Sequence, residues 1–355
     1  MNLKESIYIV THWQTWHHHA KYIPLTPVWI WYCLRSGTPW FFTPSNPTLT
    51  FGGFEGEGKK EMYEQLPLGS YPKTTYIQPG IAISLVEKQI IEAGFQYPFI
   101  VKPDVGMMGF MFRKIDTPEQ LSLYHAIMPN QYIVQELIDY PIEVGAFYFR
   151  MPDQKKGTIS GLLIKAPAQI IGDGTKTIVQ LIMENNAVAV VTKRIELLSR
   201  HKQRLQTVLA RDEVFHLSLA TNRSQGGTLT GIDHEIDERL QNFFDGLSHH
   251  NGHFFYGRYD IKCKSIEDLK EGKNFSILEF NGAGAGTQHI YANPYSLFKA
   301  CGIIYQHWKM LFRISRYNQQ NGVKVWKFWE GWRHLKAAKK NLMMLQKMDT
   351  EFPVF

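Results

Sequence analysis

The chain has 355 residues, of which 44% are hydrophobic and 20% are charged. Length and composition together predict a soluble globular protein with two or three packed subdomains. The net charge of +7 suits a nucleic-acid binder or an enzyme that attracts polyanionic ATP. Because many basic residues fall in the last fifty positions, we expect a local basic surface and no nucleic-acid partner.

The cysteines and the apolar stretches bear on the compartment. Cys33, Cys263 and Cys301 are scattered and form no CxxC pair, which favours a reducing environment. The N-terminus lacks the layout of a signal peptide. The longest apolar stretch, about Tyr22 to Leu34, contains two prolines and is shorter than the roughly 20 residues of a spanning helix. We therefore expect a cytoplasmic protein.

Residues 1–58 form an atypical N-terminal segment rich in Trp, His, Pro and Gly. Its end, Phe51–Gly58, is too rich in glycine for a helix interior and predicts a loop or linker. The run His17–His19 is not expected to bind a metal, because adjacent side chains cannot all face one ion and no Cys or acidic residue lies at ligand spacing.

Residues 59–138 are predicted to form the first subdomain of a central domain that extends to residue 300. Predicted helices lie near Lys59–Leu66 and Ile83–Ala93, and Thr117 opens a third. A glycine-bearing turn with Gly106 and Gly109 separates two predicted strands. The predicted strands are Phe99–Lys102, Phe110–Ile115 and Tyr132–Ile138.

Residues 139–300 are predicted to form the second subdomain, and residues 301–355 a basic, aromatic, helical tail. Strands are expected at Glu143–Arg150 and from residue 159 towards a turn at 171–174, and Thr177 caps a helix. Residues 189–240 read as mainly helical, and Gly257–Ile261 and Ser276–Asn281 as adjacent strands. Hairpins outnumber strand–helix–strand units, so the predicted class is α+β rather than a doubly wound sheet.

Hard oxygen donors cluster on the last two predicted strands. Glu279 and Asn281 are two residues apart and share a strand face, and Asp260 lies on the neighbouring strand. Such oxygens suit Mg²⁺, while Arg258, on the same face as Asp260, could bind an anionic intermediate. The alternative is a solvated strand on which acidic and basic residues simply pair.

Two further segments have side chains suited to a nucleotide. Lys102 ends an apolar strand just before the Gly106–Gly109 turn, where it could cradle phosphates with backbone amides. Glu136 and Glu143 flank an apolar segment containing Leu137 and Ile138, which could contact a base while a carboxylate accepts from ribose. The alternatives are a surface lysine beside a hairpin and two ordinary exposed glutamates.

Taken in order, these segments resemble the ATP-grasp superfamily, in particular D-alanine–D-alanine ligase and the ATP-grasp parts of cyanophycin synthetase and glutathione synthetase. The resemblance runs from about Lys59 to Pro294. It implies two α+β subdomains that clasp ATP. It also implies two Mg²⁺ ions, with Mn²⁺ as an alternative, held by Asp260, Glu279 and Asn281.

The same resemblance implies roles for the remaining residues. Lys102, Gly106 and Gly109 would hold phosphates, and Lys165 would reach the γ-phosphate. Glu136, Leu137 and Ile138 would form the adenine hinge, and Glu143 would bind ribose. Arg258 would bind an acyl phosphate, and Lys60 or Lys59 would be the first ATP lysine; Lys60 is taken as the representative.

The implied activity is an ATP-dependent carboxylate–amine ligase with small-molecule substrates. Three features depart from the dipeptide ligases: residues 1–58 are short for the pre-ATP-grasp domain, Met107-Met108 replaces serines in the phosphate loop, and Gly282–Gly286 replaces the substrate-side segment. The alternative is a non-ligase, kinase-like ATP-binding protein. The tail stripe Val325, Trp329, Trp332 and Leu335 has helical spacing and favours docking on the core over contact with a membrane surface.

Overall fold

The structure is a computed structural model and describes residues 12–16, 20–185, 188–217, 221, 227–250 and 252–352. The histidines at 17–19 lie outside the described residues. Short 3₁₀ helices at Trp13–Thr15, Ala20–Leu25, Thr43–Ser45, Thr50–Gly53 and Asp233–Glu235 accompany the regular elements.

The strands are β1 (Thr74–Ile77), β2 (Phe99–Pro103), β3 (Arg113–Ile115), β4 (Tyr132–Glu136), β5 (Ile142–Phe149), β6 (Thr158–Ala166), β7 (Gln169–Ile171), β8 (Val214–His216), β9 (Thr228–Gly231), β10 (Tyr256–Cys263) and β11 (Phe275–Asn281). The helices are α1 (Thr26–Ser36), α2 (Lys59–Tyr63), α3 (Ile83–Glu92), α4 (Pro118–Ile127), α5 (Ile178–Glu184), α6 (Val188–Arg200), α7 (Glu238–His250), α8 (Ile266–Lys270), α9 (His289–Ala292), α10 (Leu297–Gln320) and α11 (Phe328–Glu351).

The chain forms two compact units. The first combines the described residues of Met1–Ile30 with Leu162–Asp233 and Thr287–Trp308, and the second combines Trp31–Gly161, His234–Gly286 and Lys309–Phe355. The paired strands are antiparallel. The predicted α+β class with hairpins is therefore confirmed.

In the second unit, four strands form a sheet in the order β1–β4–β2–β3. Alternate residues of β2 face opposite sides, so Phe99 and Val101 enter the hydrophobic core while Lys102 lies on the other face. Helices α3 and α4 add Val86, Ile90 and Leu121 to this core. Burying these apolar side chains is the main stabilisation of the sheet.

A second sheet in this unit has β10 between β5 and β11. In the register, Arg258 lies opposite Asn281, and Asp260 lies opposite Glu279. The pairing then shifts so that Ile261 faces Ile277. Leu278 is thus an extra residue, a β-bulge that turns the end of β11.

The first unit has its own strands and cores. The end of β6 pairs with β9, and β7 pairs with β8 beside α5. Thr177 caps α5 through a capping box with Gln180, as the sequence predicts. One core contains Ile170, Ile178 and Leu209, and another contains Trp13 and Ile304.

Two sequence predictions are corrected. Strand β3 begins at Arg113 and not at Phe110, because Met108, Gly109 and Met111 adopt positive φ angles that interrupt an extended strand. Residues 189–240 are not mainly helical, since strands β8 and β9 follow α6. These short strands have weak hydrophobic alternation, so the sequence does not reveal them; they form by pairing with the antiparallel strands β6 and β7.

The tail helix α11 docks on the second unit, which confirms the favoured prediction for the tail. Leu345 is fully buried in the core that contains β2. Asp349 accepts a 2.8 Å bond from Arg113, and Trp40 donates to the Phe328 carbonyl at 3.0 Å. The predicted docking stripe is partly wrong, because Trp329 and Trp332 are 68% and 53% exposed.

None of the helices in the described part of the chain has the length and apolar character to cross a membrane.

Candidate functional site

The candidate site lies on one face of strands β5, β10 and β11 in the second unit. Residues directly opposite each other in an antiparallel pair share a face. The register therefore puts Arg258 and Asp260 beside Asn281 and Glu279. On the other flank, Lys262 faces Glu143, and Gly145 lies opposite Asp260 without filling the space.

A hydrogen-bond chain fixes the bulge that presents Glu279. The buried amide of Gln135 on β4 donates to the Tyr63 hydroxyl at 2.9 Å. Tyr63, on α2, donates in turn to the carbonyl of Leu278 at 2.7 Å. This chain links the β4 sheet, α2 and the bulge, so the carboxylate of Glu279 is positioned by elements distant in sequence.

Arg258 and Asp260 form a buried bidentate ion pair. Nε and Nη2 of Arg258 lie 2.8 and 2.9 Å from the two carboxylate oxygens. The guanidinium also donates to the carbonyl of Gly286 at 3.2 Å. Burial by itself would lower the pKa of Arg258, but the adjacent Asp260 carboxylate raises it by more, so the pKa of Arg258 lies above its ordinary value. Two residues apart on one strand, the pair keeps a fixed cation on the face.

Lys59 connects the glycine-bearing loop after β2 to the end of β11. Its Nζ lies 3.7 Å from Oε1 of Glu279 and donates to the carbonyls of Asp104 and Gly106, each at 3.4 Å. Lys59 is 9% exposed. The backbone of the next residue, Lys60, donates to Asp104 at 2.9 Å, which holds the start of α2 against the loop.

Lys102 approaches the same group of charges. Burial lowers the pKa of Lys102 to about 7, Lys59 adds to this effect, and Glu279 and Glu143 oppose it. These influences place Lys102 among Lys59, Glu279 and Glu143. A lysine with this pKa exchanges its proton near neutrality, and a bound polyanion would favour its charged form.

Glu57 is a site residue that the sequence reasoning did not single out. Its Oε2 is closed off from solvent and has no hydrogen-bond partner among the described residues. Burial raises the pKa of Glu57 to about 7, with Glu279 adding to the effect and Lys59 opposing it. The sequence feature that could have pointed to Glu57 is its position in the predicted loop or linker, two residues before Lys59.

Close backbone packing explains the glycines near Glu57. The amide of Gly284 donates to the carbonyl of Gly53 at 3.0 Å. A Cβ on Gly284 would lie 2.0 Å from the Phe54 carbonyl oxygen, and a Cβ on Gly53 would lie 2.8 Å from the Cα of Gly282. Phe51–Gly58 is therefore a packed loop beside the site. The sequence predicted a loop or linker, and the structure confirms the loop and excludes a free linker.

The other predicted nucleotide residues have different surroundings. Lys60 is directed away from Glu279: its Nζ lies 3.8 Å from Glu64 and 5.7 Å from the Tyr76 ring centroid. Glu136 is exposed and accepts a 3.4 Å bond from the Lys73 amide. The carbonyl of Ile138 accepts from Lys262 at 3.1 Å. Leu137 is 38% exposed.

Gly109 and Lys165 were both predicted to contact the phosphates of a nucleotide. Gly109 has a φ of 76°, which a glycine adopts without strain, so the loop after β2 needs a glycine there. Lys165 belongs to the first unit, where it is buried on β6 opposite Leu229 of β9.

The oxygen donors fit magnesium only together with a phosphate ligand. Magnesium usually takes one or two carboxylates and completes its shell with waters and phosphate oxygens. Asp260, Glu279 and Asn281 offer two carboxylates and one amide oxygen. Among the described residues, no group of three or more His, Cys, Asp or Glu side chains could hold an ion alone. The donor set therefore suits an ion that arrives with a polyphosphate.

No protein-family model matches the chain, and no curated protein sequence matches it. Similar solved structures include a bifunctional glutathione synthetase from Pasteurella multocida, with 18% identity and a TM-score of 0.40 over 72% of this chain and 35% of that one. A D-alanine–D-alanine ligase from Bacillus anthracis has 14% identity and a TM-score of 0.41 over 74% of this chain and 67% of that one.

The ATP-grasp ligase PsnB, solved with a minimal precursor, has 14% identity and a TM-score of 0.36 over 70% of this chain. The chain thus spans 35% of the glutathione synthetase and 60% of PsnB. These similarities are remote in both sequence and geometry.

Proposed function

We propose that the protein is an ATP-dependent carboxylate–amine ligase of the ATP-grasp type. The observation that carries this proposal is two kinds of charge gathered around one strand face: cations from α2, β2 and β10, and carboxylates from β10 and β11. Lys59, Lys102 and Arg258 are cations suited to phosphates, and Asp260 and Glu279 are oxygen donors suited to the accompanying ion. Phosphoryl transfer from ATP needs such positioning and charge neutralisation more than covalent help from the protein.

The phosphates of ATP would lie under the loop that contains Gly106 and Gly109. Lys102 and Lys59 would bind them, and Lys59 replaces Lys60 as the proposed first ATP lysine because Lys60 is directed towards Glu64. Lys165 is proposed to reach the γ-phosphate. Glu136, Leu137 and Ile138 are proposed to line the adenine, and Glu143 the ribose, as the family resemblance implies.

Asp260, Glu279 and Asn281 would hold Mg²⁺, or Mn²⁺, which would supply Lewis-acid neutralisation of the phosphate oxygens. A substrate carboxylate would attack the γ-phosphorus, forming a mixed acyl phosphate with release of ADP. Arg258, held in place by Asp260, would bind the developing oxyanion as an amine attacks the acyl carbon and phosphate leaves.

The test measures ADP and phosphate release with Mg-ATP over a panel of amino-acid carboxylates and amines, with products identified by mass spectrometry. Release that needs both a carboxylate and an amine is expected. In Glu279→Gln, phosphate release should fall by at least a hundredfold with the fold unchanged by circular dichroism. The matched control is Glu64→Gln, at an exposed glutamate.

Two results would refute the proposal. If Glu279→Gln keeps the turnover of the wild type, the assigned metal site is wrong. If ATP is consumed with a phosphorylated product and without any amine, the protein is a kinase-like ATP-binding protein and not a ligase.

A further inference from the structure

The outward face of helix α11 has no role in the proposed reaction. Trp329, Trp332 and Met343 are 68%, 53% and 61% exposed. Lys336 and Lys340 are also exposed and lie between them in sequence. At 100° per residue these five side chains point to the same side of the helix, so they form one continuous surface, called here the outer face of α11.

The opposite side of α11 holds the helix firmly in place. A Cβ on Gly331 would lie 2.5 Å from Nε1 of Trp40, so helix and indole are in direct contact. His334 hydrogen-bonds the Glu55 carbonyl at 2.7 Å, and Asn341 donates to the Val105 carbonyl at 3.2 Å. Because α11 is already docked through its opposite side, the exposed tryptophans are not needed to attach the helix to the core.

The chemistry of the outer face selects its partner. Tryptophan rings are amphipathic and favour the boundary between lipid headgroups and acyl chains, and lysine ammonium groups attract anionic headgroups while their stems cover apolar surface. Each lysine near an anionic bilayer adds about a fivefold gain in binding constant at ordinary ionic strength, less when salt screens it. Lys347, about one turn beyond Met343, lies on the same face and pairs with Glu351 at 3.8 Å, so the net positive charge comes from Lys336 and Lys340.

A second copy of this chain is a poorer fit to the same surface. A two-fold contact through the outer face would bring each lysine row close to its own counterpart. Among the described residues of α11, the acidic ones do not pair with Lys336 or Lys340. Glu330 accepts from the Lys327 amide at the start of the helix, and Asp349 is engaged by Arg113 on the docked side. Glu351 lies 3.8 Å from Lys347 at the end of the helix. Like charges at close range oppose such a dimer.

We propose that the outer face of α11 binds the surface of an anionic phospholipid bilayer. The helix lies flat at the interface, with the indoles of Trp329 and Trp332 among the headgroups and the ammonium groups of Lys336 and Lys340 on the lipid phosphates. If the chain is the ligase proposed above, this contact would hold the site on β10 and β11 near the membrane surface.

The test is co-sedimentation of the full chain with vesicles of phosphatidylcholine alone or with 30% phosphatidylglycerol, a probe composition of about one anionic lipid in three. Binding is expected to the anionic vesicles, to weaken as salt rises, and to shift tryptophan emission to the blue. Lys336→Gln/Lys340→Gln should weaken it about thirtyfold, and Trp329→Ser/Trp332→Ser on the order of tenfold.

The matched control is Lys88→Gln/Lys156→Gln, which removes the same charge from exposed lysines elsewhere in the second unit. It should bind like the wild type. The proposal is overturned if the chain does not sediment with anionic vesicles, or if the control weakens binding as much as the α11 variant. It is also overturned if the tryptophan variant abolishes a dimer in vesicle-free solution, since the outer face would then bind a second copy.

Discussion

If ATP binds as proposed, the lowered pKa of Lys102 predicts a measurable proton uptake on binding. With a pKa of about 7, Lys102 is only about one-tenth protonated at pH 8 in the free protein. Phosphates beside its ammonium favour the charged form and would return the pKa towards its ordinary value of 10.5. Binding of Mg-ATP at pH 8 should therefore take up about 0.9 of a proton at this side chain.

Lys102→Arg isolates this contribution, because a guanidinium keeps the positive charge and stays protonated. Isothermal titration calorimetry in two buffers that both hold the chosen pH but differ in ionisation enthalpy gives the proton uptake. The wild type should take up about 0.9 proton more than Lys102→Arg at pH 8, and only about 0.1 more at pH 6, where Lys102 is already charged.

Lys60→Arg is the matched control, since the Lys60 side chain is 52% exposed and directed away from Glu279. It should take up as many protons as the wild type. The reasoning fails if Lys102→Arg and the wild type take up the same number of protons at pH 8 while both bind ATP. Lys102 would then not face the phosphates.

Two further predictions concern the segment before α2. Between pH 4.5 and about 7, folded Glu57 holds a proton that the unfolded chain releases, so the free energy of unfolding falls by up to about 3 kcal/mol as pH rises. Glu57→Gln should remove this loss when urea unfolding is compared at pH 5 and pH 8. The prediction is contradicted if Glu57→Gln shows the same pH dependence as Glu64→Gln. Gly284→Ala should lower the unfolding free energy by about 2 kcal/mol or more, because its Cβ meets the Phe54 carbonyl at 2.0 Å. Gly302→Ala, with open space around it, should not destabilise, and equal effects in urea would refute the packing argument.

Local patterns in the sequence predicted much of the fold. The Thr117 and Thr177 caps were readable because a capping side chain bonds a backbone amide three residues on. The pairing of β10 with β11 followed from two short apolar runs near each other in sequence. Spacing of two residues also predicted that Glu279 and Asn281 share a face, since side chains alternate along a strand.

Only the tertiary structure separated Lys59 from Lys60. Adjacent helical residues point about 100° apart, and the docking of α2 against Asp104 decides which one faces Glu279. It also placed Glu57 in the site. The segment before Glu57 packs against Gly282 and Gly284, and this packing is not visible in the sequence. For the tail helix, the helical period was visible in the sequence. Which side faces outward depends on packing between distant segments: Gly331 against Trp40, and Leu345 in the core that contains β2.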